Sequence, residues 1–129
     1  MANDNNIQPM ADDSQIVLYQ PDDSIRLEVK LEQDTVWLTQ AQMTELFRTT
    51  RNNITMHIRN IFKEKELDEK SVCKESLHTP ADGKRYRTKI YNLDVIISVG
   101  YRVKSPIGTR FRQWANAVIK QYLLQGYSV

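Results

Sequence analysis

A single cysteine, Cys73, rules out an internal disulfide. The two histidines, His57 and His78, stand at no metal-ligand spacing, so neither a disulfide nor a metal is expected to hold the fold. Long apolar runs are also missing. Val95-Ile96-Ile97 and Ala117-Val118-Ile119 fall far short of the roughly 20 residues that a bilayer-spanning helix needs, so no membrane partner is expected. The opening MANDNNIQPMADD has neither a basic nor an apolar stretch, which reads against a secretory signal and for a cytoplasmic location. A phosphate-cradling glycine loop, a dinucleotide fingerprint and a catalytic carboxylate pair are absent as well. His57 has no nucleophile or carboxylate placed to make a triad with it. The expectation is a protein that is not an enzyme and takes no cofactor.

What remains is 129 residues of near-average globular composition, 40% hydrophobic and 26% charged, enough for one domain. Charge is distributed unevenly. Residues 1–24 carry five aspartates and no Lys or Arg, which leaves 18 basic against 11 acidic residues in the rest. The segment 84–129 alone holds nine basic residues against Asp94. A basic body of this kind attracts polyanions.

Residues 1–14 are rich in Asn and Asp and poor in large apolar side chains, and read as a flexible acidic leader before a single domain over 15–129. Ile16-Val17-Leu18-Tyr19, followed by Ile25, Leu27, Val29 and Leu31 alternating with Arg26, Glu28, Lys30 and Glu32, has the period of two of a hairpin with one buried face. Pro21-Asp22-Asp23-Ser24 is its turn. A turn at Gln33-Asp34 then leads to a short strand at Val36-Trp37-Leu38. Thr39 is placed to cap a first helix over QAQMTELF, with Ala41, Met43, Leu46 and Phe47 as its apolar side. Thr50 is placed to cap a second, from Arg51 to about Lys65, after a break at Arg48-Thr49.

A second hairpin is predicted from Val72–Thr79 and Lys84–Tyr91, around the turn sequence Pro80-Ala81-Asp82-Gly83. Asn92 caps a helix to about Val103. A last helix follows from about Ile107 to Gln125, with Gly126 as its C-cap. The apolar stripe on that last helix, from Phe111 to Leu124, is wider than a small domain requires, and is expected to pack on a second copy, as the interface of a homodimer, or on a further C-terminal region.

The segment VWLTQAQMTELFRTTRNNITMHIRNIF, residues 36–62, has the parts of a helix-turn-helix: a short helix, a tight turn, and a second helix with one apolar side. At 100° per residue Ile54, Ile58, Ile61 and Phe62 cluster inward while Asn52, Met56, Arg59 and Lys63 point outward. Asn pairs with adenine, Arg with guanine and Lys with phosphate, so the outward set suits double-stranded DNA. Between Arg48 and Lys63 there are four basic residues and no acid. Arg51, Asn52, Asn53, Met56 and Arg59 are therefore expected at base edges or groove walls, with Arg48 and Lys63 on phosphate. Lys84, Arg85, Arg87 and Lys89, with Tyr86 between them, would form a basic wing along the phosphate backbone. The fold class expected is α+β: a winged helix-turn-helix-like domain with an N-terminal β-hairpin, a basic wing hairpin and two C-terminal helices.

VWLTQAQMTELF, NNITMHIRNIF, SVCKESLHT followed by ADGK, and YNLDVIISVGYRVKSPIGTRFRQWA together resemble the N-terminal region of the RhuM family of bacterial virulence-associated proteins. The chain is also distantly similar to the N-terminal domains of phage antirepressors. The first resemblance implies DNA binding through Thr50 to Lys63 and a regulatory role. Because family members are usually much longer, it also implies that this chain is the N-terminal part of a longer protein. A rival expectation is an antirepressor-like or toxin-associated module that uses the same fold and its basic surface to grip an acidic protein.

Overall fold

The computed structural model describes residues 15–78 and 86–125. The elements run β1 (Gln15–Asp22), β2 (Ile25–Glu32), β3 (Thr35–Thr39), α1 (Gln40–Phe47), α2 (Arg51–Lys63), α3 (Glu69–Val72), β4 (Cys73–His78), β5 (Tyr86–Asn92), α4 (Leu93–Arg102) and α5 (Ile107–Gln125). It is an α+β fold: the described strands form one antiparallel five-stranded sheet in the order β1-β2-β3-β5-β4.

The alternation in β2 does what its period requires, burying Ile25, Leu27, Val29 and Leu31 while Arg26 and Glu28 stay exposed. The first strand extends further than expected, through Pro21 to Asp22, with its register shifting between Tyr19 and Asp22. A proline is tolerated there because β1 is an edge strand and the ladder is irregular at that point. Gln33 and Asp34 both have positive φ, 55° and 62°, the conformation that lets a two-residue turn match the twist of β2 and β3. The two hairpins read separately from the sequence are joined by β3, whose Trp37, Leu38 and Thr39 pair with Asn92, Tyr91 and Ile90.

One face of the sheet is covered by helices. Leu31, Val36, Leu38 and Tyr91 from the strands share a core with Met43 and Leu46 of α1, Ile54 and Ile61 of α2, Val95 and Val99 of α4, and Phe111 of α5. Tyr19 meets Phe111 and Trp114 edge-on at 5.0 and 4.8 Å between ring centres, which fastens α5 to the edge of the sheet. The helices α4 and α5 cross where two glycines allow it: a Cβ at Gly108 would lie 3.3 Å from the Gly100 Cα, so a side chain at either position would push the helices apart.

The stripe on α5 is graded. Phe111 and Ala115 are buried, Trp114, Val118 and Ile119 half-buried, and Leu123 and Leu124 exposed. The short α3, four residues capped by Asp68, was not anticipated; its pattern is too brief to show periodicity. No helix among the described residues is long and apolar enough to cross a membrane. The acidic leader over 1–14, the wing turn at Pro80–Gly83 and the Gly126 cap lie outside the described residues.

Candidate nucleic-acid interface

Three caps define the two helices that carry most of the expected site. Thr39 and Gln42 form a reciprocal capping box at the start of α1, with the Gln42 N–H donating to Thr39 Oγ1 at 3.0 Å and the Thr39 N–H to Gln42 Oε1 at 2.9 Å. Arg48 ends α1 in the left-handed conformation, φ 54°, where glycine is usual. Its guanidinium donates from Nη2 to Ser24 Oγ at 2.6 Å, in the β1–β2 turn. Thr50 then caps α2, its Oγ1 accepting from the Asn53 N–H at 3.1 Å. Two helices therefore follow one another across a short break at Arg48–Thr50, with α2 ending at Lys63, two residues short of the expected limit.

The faces of α2 also divide as its spacing predicts. Ile54, Ile58 and Ile61 are buried, with Phe62 half-buried, while Arg51, Asn52, Met56, Arg59 and Lys63 are exposed. Asn53 differs from its neighbours. It is half-buried and its Nδ2 donates to Thr49 Oγ1 at 2.9 Å, so its amide braces the turn. His57 is half-buried; burial and the charge of Arg102 push its pKa below the usual histidine range, so it adds no charge to this face at neutral pH.

No acid lies within α2, and its first turn carries Arg51 where Asp or Glu would favour the helix dipole. The nearest acids beyond its end are drawn toward α4. Arg102 Nη2 donates to Glu64 Oε1 at 2.9 Å and to Glu66 Oε1 at 2.7 Å, and Ser98 Oγ donates to Glu66 Oε2 at 2.5 Å. Hydrogen bonds from Arg102 and Ser98 hold the Glu66 carboxyl below its usual pKa. The unfolded chain therefore takes up that proton first as pH falls. The stability this group contributes is present above about pH 4.5, its unfolded value, and is lost as pH drops through the folded one. Both partners are partly solvated, so the contribution is about 1 kcal/mol or less. Urea melts between about pH 6 and pH 3 should show a shallower acid limb for Arg102→Ala than for the wild type.

On β5, Arg87 and Lys89 are exposed. Each has an acidic neighbour, Arg87 with Glu75 at 3.5 Å and Lys89 with Glu69 at 3.9 Å. Exposed pairs of this kind are worth about 0–1 kcal/mol, so both cations can exchange their partners for phosphate. Lys84 and Arg85 lie outside the described residues. Tyr91, at the inner end of the strand, has its pKa pushed up to about 12 by burial and stays neutral.

The structure brings part of this set together. A groove of about 760 Å³ lies beside the start of α2 and strands β2, β3 and β5, and Arg51, Arg87 and Lys89 are among the residues that line it, although register sets Arg87 and Lys89 on the sheet face of Tyr91 and Lys30 on that of Trp37. Lys30, Gln40 and Trp37 line it too, none of which was among the expected site residues. Gln40 Nε2 donates to the Arg51 carbonyl oxygen at 3.4 Å and also to Thr55 Oγ1, tying α1 to the first turn of α2. Trp37 is buried, but its register with Lys30 places it on the sheet face opposite the main core. Lys74 Nζ sits 4.5 Å from its ring centre and the indole N–H donates to the Glu32 carbonyl at 2.9 Å. The alternation in β2 already put Lys30 outward; what the sequence does not display is which strand lies beside it. Arg48, Asn52, Met56, Arg59 and Lys63 do not line the groove. Among the described residues no cluster of His, Cys, Asp and Glu could hold a metal.

With β4, β5, α4 and α5 placed, the comparison with known families can be read on the fold. Residues 71–129 match the virulence protein RhuM family. The RhuM match begins inside α3 and takes in the β4–β5 hairpin and both C-terminal helices. It thus bears out the resemblance carried by SVCKESLHT and by YNLDVIISVGYRVKSPIGTRFRQWA. The helix pair α1–α2 precedes the matched residues. No curated protein and no solved structure matches the chain, so the likeness to phage antirepressors has no counterpart among these findings.

Proposed function

We propose that this RhuM-type chain binds double-stranded DNA as a winged helix-turn-helix, with α2 in the major groove and the outgoing strand β5 as the basic wing on phosphate. Topology supports the reading: α1 and α2 lie between β3 and β4 in the chain, and β3, β5 and β4 are adjacent in the sheet, so the helix pair and the wing hairpin spring from one three-stranded unit. The observation that carries it is the shared groove. Arg51, at the start of an acid-free helix, lines one concavity with Arg87 and Lys89 of β5, although these residues are 36 and 38 positions apart in sequence.

A duplex lying along the exposed face of α2 beside that groove would have its bases against Asn52, Met56 and Arg59, and its backbone on Arg51, Lys63, Arg87 and Lys89. With about four to eight phosphates neutralised, log affinity should fall against log salt with a slope of roughly −4 to −7. Fluorescence anisotropy with a random duplex at about 50 and 200 mM salt measures it. Binding that collapses over that range supports the reading. No binding at either salt contradicts it and favours an acidic protein as the ligand.

A further inference from the structure

The sheet has two free edges among the described strands, and they are protected differently. At β4 the edge carries Lys74 and Glu75, charges of the kind that keep edges from pairing with other chains. From Gln15 to Gln20, β1 carries no charge, and Ile16 and Leu18 on its outer face are 62% and 42% exposed. We infer that β1 is the homodimer interface: two copies pair antiparallel along β1 about a two-fold axis through Val17, which makes one continuous ten-stranded sheet.

Any two-fold pairing of β1 with itself is isologous, and the axis at Val17 is the one that brings the two exposed apolar side chains together. In an antiparallel pair, residues opposite each other lie on the same face with Cβ atoms about 5 Å apart. An axis at Val17 sets Ile16 of each copy against Leu18 of the other, covering both exposed side chains at once and opposing no charges. It also keeps the helix layers of both copies on the same side of the joined sheet. Pairing β1 with the β4 edge of another copy would be head-to-tail and open-ended, and would set Lys74 and Glu75 beside an uncharged strand. The dimer expected through the last helix therefore moves to the first strand. An apolar groove of about 380 Å³ between Val17 of β1 and Val118 of α5 borders the proposed axis. This inference does not depend on the DNA reading.

Sedimentation velocity on the whole chain at micromolar concentration tests it. The wild type should sediment at twice the 15.1 kDa chain mass. The Ile16→Lys, Leu18→Lys double variant puts like charges opposite one another and should halve that mass. The Ile16→Glu, Leu18→Lys double variant puts opposite charges face to face and should restore it. Both positions are exposed, and circular dichroism should show all three chains folded. A monomeric wild type overturns the inference, as does a species that grows beyond a dimer. So does a dimer that survives the double-lysine change but is lost on Leu124→Asp, which would return the interface to α5.

Discussion

Replacing Arg51 and Arg59 together with alanine should weaken duplex binding by about 2–6 kcal/mol, at about 1–3 kcal/mol for each contact. On an anisotropy titration that is a loss of roughly thirtyfold to twenty-thousandfold. Both side chains are exposed on α2 and neither has an ion-pair partner among the described residues, so the fold should be untouched. The two changes differ in kind. Arg59 lies in the middle of the outward face, where it would reach base edges on the proposed reading, and its loss should relax sequence preference. Arg51 lines the groove with the wing cations, and its loss should weaken all sequences alike, as Arg87→Ala should. Each phosphate contact removed should also lower the salt slope by about one. Arg112→Ala on α5 is the control, and it should leave binding unchanged.

The largest effect on stability should come from Phe111→Ala, which should cost about 3–5 kcal/mol. Phe111 is fully buried, and its ring lies 5.0 Å from Tyr19 and 5.5 Å from Trp114. Truncation opens a cavity at the point where α5 meets the edge of the sheet. For a domain whose total stability is about 5–15 kcal/mol, that is a large share. Equilibrium urea unfolding at neutral pH measures it as a fall in midpoint without a change in slope. By contrast Leu124→Ala, at a position 70% exposed near the end of the same helix, should stay within about 0.5 kcal/mol. Equal costs at the two positions would mean that the helix packs over its whole length.

Local signals made most of the elements legible. Thr39, Thr50 and Asn92 each act as the N-cap their position suggested, because a cap is decided by hydrogen bonds within three residues. The inward and outward faces of α2 followed from spacing alone. Assembly was not legible. That β3 and β5 would join two hairpins into one sheet depends on contacts more than 50 residues apart, for which periodicity carries no signal. Trp37 shows the consequence: its hydrophobicity foretold burial, but its side of the sheet follows from strand parity and from which long side chains lie over it.

The candidate site divides along the same line. Arg51, Asn52, Met56, Arg59 and Lys63 could be named from one helix. That Arg51, Arg87, Lys89 and Lys30 line one groove needed the tertiary fold. Asn53 and Arg48 illustrate a further limit of residue type as a guide. Both are groups that read or hold DNA elsewhere, yet here one braces the turn through Thr49 and the other bonds Ser24. Nothing in the sequence distinguishes an amide that faces a groove from one that closes a cap, since both sit at the start of a helix.

The most direct measurement is an amide chemical-shift map of the chain titrated with a short duplex. Shifts concentrated on Arg51 to Lys63 of α2 and on Tyr86 to Lys89 of β5, with the end of α5 unmoved, are the expected result. Shifts confined to β1 and α5, or none at saturating duplex, would contradict DNA recognition by α2 and the wing strand.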